Sequence, residues 1–83
     1  MTGELHTLVV YTADGCPHSA ALVADLARRR VRFLEVNLSR EPGRLAELAR
    51  WGATGRLPVV VDHERVSVGF RGASSTLAEL GLG

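Results

Sequence analysis

The chain changes from a strand pattern to a helix pattern within one segment, Thr7-Leu8-Val9-Val10-Tyr11-Thr12-Ala13-Asp14-Gly15-Cys16-Pro17. Its first six residues are mostly β-branched, apolar or aromatic, which predicts a buried strand that ends at Ala13-Asp14-Gly15. Pro17 is favoured at the first position of a helix, and apolar residues recur at helical spacing from there to Leu26. A strand that turns at a glycine into a helix led by Cys-Pro therefore predicts an α/β fold.

The remainder of the chain continues this alternation of strands and helices. Its predicted elements, in chain order, are a strand over 31–38, a helix over 41–51, a hairpin over 57–68 and a short last helix over 74–82. Thr76 and Glu79 have the spacing of a capping box in that last helix. We expect one domain over residues 1–83 with the order β-α-β-α-β-β-α. A strand-helix-strand unit gives a parallel pair and a hairpin an antiparallel one, so the expected α/β fold has a small mixed four-stranded sheet with helices on both faces.

The composition indicates a folded domain and argues against several partners. Apolar residues make up 46% of the chain and charged residues 23%, which are ordinary globular values. The net charge is only +1 and the basic residues are dispersed, so no nucleic-acid partner is predicted. The triplet Arg28-Arg29-Arg30 fits a solvated helix end or, alternatively, a phosphate or partner patch. No apolar run approaches the roughly 20 residues that span a bilayer, so no membrane partner is predicted.

Cys16 is the only cysteine, which excludes an internal disulfide. The first residues contain no basic segment followed by an apolar run, so they do not read as a signal peptide. We therefore expect a cytoplasmic protein in a reducing compartment. No metal-ligand spacing links His6, His18 and His63, and no metal site is predicted.

Cys16 is the residue at which the sequence predicts chemistry. It directly precedes a helix that begins at Pro17, so its sulfur should be exposed near unpaired N–H groups and the positive end of the helix dipole. Both favour the thiolate, which is the nucleophilic form, and we therefore expect a lowered pKa and a reactive side chain. The alternative is an inert core residue, since free cysteine is among the residues most often buried.

Three segments resemble the glutaredoxin and NrdH-redoxin branch of the thioredoxin-like fold, over nearly the whole chain: Tyr11 to Ser19, Leu57-Pro58 and Gly69-Phe70-Arg71. The resemblance implies that Cys16 is the attacking cysteine of a Cys-Pro-His-Ser motif formed with Pro17, His18 and Ser19. It also implies that Pro58 is cis and holds substrate backbone beside the sulfur. The substrate-binding residues that it implies are Tyr11, Arg56, Leu57, Pro58, Gly69, Phe70 and Arg71.

The motif departs from the dithiol members at Ser19, which stands in place of the second cysteine. A hydroxyl forms no disulfide, so a mixed disulfide on Cys16 must be released by an external thiol. Ser19 can also serve as a first-turn residue that donates a hydrogen bond to the sulfur. His18 completes the triplet Cys-Pro-His of DsbA-type oxidases, for which the resemblance implies a strongly lowered cysteine pKa; the alternative is an exposed helix residue.

Two further departures concern glutathione. Arg56-Leu57-Pro58 replaces the Thr-Val-Pro common in glutaredoxins, and residues 69–74 lack the Gly-Gly-x-Asp-Asp pattern that helps to hold glutathione. The co-reductant is therefore left open between glutathione and another low-molecular-weight thiol. Arg56 could pair with a substrate carboxylate, stabilise the thiolate or remain solvated.

The resemblance implies a monothiol thiol-disulfide oxidoreductase with no permanently bound cofactor. Its partners would be a disulfide-containing or S-thiolated protein and an external low-molecular-weight thiol. We expect a monomer, with a Cys16-linked dimer on oxidation. Two alternatives stay open. One is an iron-sulfur cluster carrier, although such relatives usually have Cys-Gly-Phe-Ser. The other is a redox-inactive interaction domain that keeps the fold.

Overall fold

The computed structural model describes residues 8–53, 55–63 and 65–82. Its elements in chain order are β1 Leu8–Thr12, α1 Pro17–Arg28, β2 Phe33–Asn37, a 3₁₀ helix Pro42–Leu45 that runs into α2 Ala46–Arg50, β3 Arg56–Leu57, β4 Val59–Asp62, β5 Arg65–Val68 and β6 Ser75–Thr76. Thr7, the first residue of the predicted first strand, lies outside the described residues.

The main sheet has four strands in the order β2-β1-β4-β5. β1 is parallel to β2, with Tyr11 opposite Val36, and antiparallel to β4, with Tyr11 opposite Val59. β4 and β5 form the predicted antiparallel hairpin. The mixed four-stranded sheet is thereby confirmed, since α1 provides the crossover that a parallel pair needs.

The two faces of the sheet are covered by different helices. One face carries buried side chains from three strands, namely Tyr11, Val36, Val59 and Val61, and they form one core cluster with Leu48 of α2. Strand side chains alternate between faces, so Val10 points the opposite way, and it is fully buried where α1 lies against β1. Among the described residues, no helix is long and apolar enough to cross a membrane.

The structure differs from the prediction at its C-terminal end. β3 and β6 pair as a second, two-stranded antiparallel sheet, with Leu57 opposite Ser75. The predicted helix over 74–82 is absent: its first residues are extended in β6, and residues 77–81 form hydrogen-bonded turns. The capping box does form, since Glu79 N–H donates to Thr76 Oγ1 at 3.1 Å and Thr76 N–H to Glu79 Oε1 at 2.7 Å. Because residues 75 and 76 pair with β3, too few residues remain to offset the unfavourable free energy of helix nucleation.

Candidate functional site

Cys16 is the N-cap residue of α1. Its backbone is extended, with φ −95° and ψ 104°, and Gly15 before it has a φ of 78° that favours glycine. Pro17 occupies the first helical position, as predicted. The Ser19 N–H donates to Cys16 Sγ at 3.4 Å, so the sulfur takes the role that a serine or aspartate oxygen has in most N-caps.

The side chain of Cys16 is buried, and the prediction that it is exposed is wrong. Only 3% of its surface is accessible, and it belongs to the same core cluster as Leu38 and Leu57. The physical reason is the second small sheet. β6 pairs with β3 at Leu57 and brings Ser75 to the sulfur, a covering that could not be read from the strand-to-helix turn.

The pKa of Cys16 is lowered even though the thiol is buried. Burial raises the pKa, because it removes water from the charged form. The donors near the sulfur lower the pKa, namely the Ser19 hydroxyl first, then the Ser19 N–H that donates to the sulfur, the Ser75 hydroxyl and the His18 backbone N–H, and their combined effect prevails. His18 thus contributes through its backbone N–H.

The hydroxyl of Ser19 has unused hydrogen-bonding capacity. It is 2% exposed, and it lies close enough to the sulfur to lower the thiol pKa. Within the described part of the chain, however, Ser19 Oγ has no partner at good hydrogen-bond geometry. A buried hydroxyl without a partner is costly, so it is ready to donate to a thiolate or to a bound group.

The second predicted segment reaches the core cluster of Cys16 through Leu57. The Leu57–Pro58 peptide is cis, and Pro58 is buried. The Pro58 carbonyl accepts a hydrogen bond from Gly69 N–H at 2.7 Å, which ties the 69–71 loop to the proline. Gly69 has a φ of 91°, and a Cβ there would lie 2.9 Å from the Ala73 carbonyl oxygen, so only glycine fits without a shift.

A family model described as Glutaredoxin matches residues 8–66, which include Cys16 and Pro58. The chain belongs to the glutaredoxin family. Thiol-disulfide oxidoreductase chemistry is the type of function that this family and fold support. Within residues 8–53, 55–63 and 65–82, the His, Cys, Asp and Glu side chains form no group of three or more that could hold a metal ion.

The crystal structure of the glutaredoxin (grx-1) from Archaeoglobus fulgidus has the same fold. The two structures match with a TM-score of 0.72 over 81% of this chain and 78% of that chain. Their sequences are 18% identical, so this likeness concerns the fold alone. A search of the curated proteins finds no match.

Two of the predicted substrate-binding residues of this glutaredoxin have other partners. Tyr11 is 3% exposed, and its hydroxyl donates to Glu47 Oε1 at 2.7 Å and accepts from Trp51 Nε1 at 3.3 Å. Its placement in the core argues against the predicted substrate contact. Arg56 is exposed, and its Nη1 donates to Ser74 Oγ at 3.1 Å, so it holds the segment that leads into β6.

Phe70 and Arg71 form the tip of the loop after β5. Two backbone hydrogen bonds between Phe70 and Ala73 close the turn, at 2.8 and 3.0 Å. The Arg71 guanidinium lies 5.1 Å from the centre of the Phe70 ring, and its Nη2 is 4.0 Å from Asp25 Oδ1. The loop is therefore connected to α1 at one end and to Pro58 at the other.

Sequence reasoning missed Ser75 and Asp25. Ser75 lies near the sulfur only because β6 pairs with β3, and no pattern in the neighbouring residues predicts this position. Asp25 has a side chain that is 7% exposed, and it pairs with Arg28 and Arg29 as well as with Arg71. Here a signal was present, since an acidic residue three and four positions before two arginines is the usual helical ion-pair spacing.

Proposed function

We propose that the protein is a monothiol thiol-disulfide oxidoreductase, which reduces mixed disulfides between proteins and low-molecular-weight thiols through Cys16. The observation that carries the proposal is the N-cap geometry of the sulfur, with Ser19 N–H donating at 3.4 Å and a lowered thiol pKa. The thiolate is the attacking species in thiol-disulfide exchange, and a lowered pKa raises its fraction. Ser19 stands where a resolving cysteine would be needed, so the cycle depends on an external thiol.

The proposed cycle has two exchange steps. The Cys16 thiolate attacks the small-thiol sulfur of the mixed disulfide, the new Cys16–sulfur bond forms, and the protein leaves as a thiolate that takes up a proton. A second small thiol, as its thiolate, then attacks the small-thiol sulfur held on Cys16. The small-thiol disulfide leaves and the Cys16 thiolate is regenerated, so the cycle consumes one incoming thiol, whose sulfur is oxidised to the disulfide as the protein sulfur is reduced to the thiol.

The geometry around Pro58 supports a place for the protein half of the substrate. Leu57 shares the core cluster of Cys16, and Gly69 N–H donates to the carbonyl of the adjacent Pro58, which connects the Phe70-Arg71 turn to this segment. We place the extended substrate backbone along this side, with Arg56 and Arg71 at its exposed ends. The same proposal includes a low-molecular-weight thiol as co-reductant, a cytoplasmic location and a monomeric state.

The test is an assay of purified protein on a model protein carrying a mixed disulfide, with a panel of small thiols including glutathione and cysteine. We expect Cys16-dependent release of the protein thiol with at least one of them, and no release by the matched Cys16→Ser variant. Absence of any reduction with every thiol in the panel would falsify the proposal.

A second candidate function, a redox-inactive interaction domain, is favoured by one observation, the 3% exposure of Cys16. Reactivity needs access as well as a lowered pKa. The rate of alkylation by iodoacetamide at pH 6 separates the two functions. A rate above that of free cysteine supports the oxidoreductase, and a slower rate supports the interaction domain.

A further inference from the structure

Two arginines near the end of α1 meet an arginine from a distant loop. Arg28 and Arg29 both pair with the Asp25 carboxylate. Arg71 Nη2 approaches the same carboxylate at 4.0 Å from the loop after β5. We refer to Arg28, Arg29 and Arg71 as the arginine cluster. Two of its members belong to the basic triplet at the end of α1, so part of that triplet is held by tertiary contacts and is not a freely solvated helix end.

The arginine cluster carries more positive charge than its carboxylate neutralises. In the part of the chain that the structure describes, Asp25 is the only carboxylate within ion-pair distance of any of the three arginines. Three guanidinium groups around one carboxylate leave a surplus of two positive charges. The Asp25 side chain is 7% exposed, whereas those of the three arginines are 71%, 63% and 69% exposed. A guanidinium has five N–H donors, so most of them remain for a further acceptor.

Arg71 connects the arginine cluster to the segment at which we place the protein half of the substrate. Its guanidinium lies 5.1 Å from the centre of the Phe70 ring, and two backbone hydrogen bonds between Phe70 and Ala73 close the turn. Gly69 N–H, at the start of this turn, donates to the Pro58 carbonyl at 2.7 Å. A substrate chain that leaves Pro58 along this loop therefore meets the arginine cluster.

The carboxylates of a protein are the acceptors that suit this cluster best. Arginine binds carboxylates and phosphates through paired N–H donors. A nucleic acid is held by a basic face that follows many phosphates, whereas the net charge of this chain is only +1 and the surplus is confined to three side chains. An acidic protein segment presents only a few carboxylates, and charge pairs of this kind speed the encounter of two proteins.

We propose that the arginine cluster docks an acidic segment of the protein whose mixed disulfide Cys16 reduces. The proposal rests on the proposed function and names a class of substrate, namely proteins with carboxylates near the disulfide. Asp25 follows Cys16 by about two and a half turns of α1, which is roughly 14 Å along the helix axis at about 1.5 Å per residue. An extended chain covers this length in about four residues, so the carboxylates should lie about four residues from the substrate cysteine.

The first experiment compares two peptides that differ only in charge. Each carries one cysteine as a mixed disulfide with 2-mercaptoethanol, and either aspartates or asparagines lie about four residues away on both sides of it. We expect the peptide thiol to be released about fivefold faster from the aspartate peptide at low ionic strength, since about 1 kcal/mol from exposed charge pairs corresponds to about fivefold. The two rates should converge in 1 M salt, where the Debye length falls to about 3 Å.

Arginine variants identify the surface through the ratio of the two rates. Replacing both Arg28→Gln and Arg29→Gln should bring this ratio close to one, because the remaining Arg71 is then neutralised by Asp25. Arg50→Gln is the matched control, since this exposed arginine of α2 lies on the opposite face of the sheet, and it should keep the parent ratio. Both peptides meet the same sample, so partial unfolding of a variant does not change the ratio. An unchanged ratio in the double variant, or an equal loss in Arg50→Gln, overturns the proposal.

The second experiment measures binding without thiol chemistry. The Cys16→Ser variant is titrated with an aspartate peptide whose cysteine is replaced by serine, and the backbone amide resonances are followed by NMR. We expect salt-sensitive shifts at Arg28, Arg29 and Arg71, and none with the matching asparagine peptide. A single-stranded oligonucleotide of equal charge should bind no more tightly than the aspartate peptide. Tighter binding of the oligonucleotide would assign the surface to nucleic acid and overturn the proposal.

Together the two experiments separate the docking surface from the redox function. If both peptide disulfides react at equal rates and neither peptide binds the arginine cluster, the docking surface is refuted and the oxidoreductase stands. If the aspartate peptide binds and no disulfide reacts, the cluster stands as a docking surface for acidic segments and the oxidoreductase is refuted.

Discussion

The two ends of α1 each hold a buried group that can carry a negative charge, and the groups around each one differ. At the N-terminus, Cys16 is 3% exposed, and its sulfur accepts a hydrogen bond from the Ser19 N–H and lies near the Ser19 and Ser75 hydroxyls. Towards the C-terminus, Asp25 is 5% exposed, and three arginines lie within ion-pair distance of its carboxylate. One group is stabilised by neutral dipoles and the other by full charges.

The difference matches the tasks of the two ends. The nucleophilicity of a thiolate falls as the pKa of its thiol falls. A thiolate that is stabilised only by neutral donors, and not by full positive charges, therefore remains available for attack. A carboxylate surrounded by Arg28, Arg29 and Arg71 is neutralised, and it connects α1 to the 69–71 loop. We infer that the N-terminal end is built for reaction and the other end for holding the loop.

The largest effect is expected at the N-terminal end. Cys16→Ser should abolish both the reduction of mixed disulfides and alkylation by iodoacetamide, because serine supplies no nucleophilic thiolate. The fold should be retained, since the serine oxygen can take over the N-cap hydrogen bond from Ser19 N–H. Circular dichroism checks the fold, and residual reduction by this variant would contradict Cys16 as the attacking group.

The next effect tests the opposite end. Asp25→Asn should lower the free energy of unfolding by about 1.5–3 kcal/mol, the range for hydrogen bonds to charged groups. Denaturant unfolding measures it, with Arg32→Gln as the control, because exposed Arg32 has no ion pair within the described residues. The pKa of Cys16 should not move, and a shift in it would show that the two ends are coupled.

A smaller effect concerns the donors around the sulfur. Ser19→Ala and Ser75→Ala should each raise the pKa of Cys16, with Ser19→Ala giving the larger shift. The alkylation rate at pH 6 should fall about two- to fivefold, because a lower fraction of the thiol is ionised. Ser74→Ala is the matched control, since that hydroxyl bonds to Arg56. An unchanged rate in both variants would mean that hydroxyls do not stabilise the thiolate.

The smallest effect is on the pH dependence of stability. The folded protein has a lowered Cys16 pKa, so the unfolded chain binds more protons between the folded and unfolded pKa values. The free energy of unfolding should therefore rise with pH through that window, and the contribution should be lost as pH falls through the folded pKa. Denaturant titrations across the window should show this slope in the parent protein and not in Cys16→Ser.

Local sequence signals were sufficient for most of the fold and part of the site. The turn from β1 through Gly15 into a helix begun by Pro17, the parallel β1–β2 pair and the β4–β5 hairpin all follow from patterns within a few residues. The hydrogen bond between Ser19 and the sulfur follows from N-cap geometry. The prediction of a last helix over 74–82 was wrong. The capping box forms as predicted, but residues 75 and 76 pair with β3 as a strand.

The sequence alone determined that one cysteine lies at the start of a helix, with a serine in place of a second thiol. These features depend on neighbours in the chain, for which spacing is a direct guide. Only the tertiary structure decided that Cys16 is buried, that Ser75 lies near its sulfur and that the Tyr11 hydroxyl donates to Glu47. Those outcomes depend on which distant segment covers a side chain, and that choice is set by the packing of the whole domain.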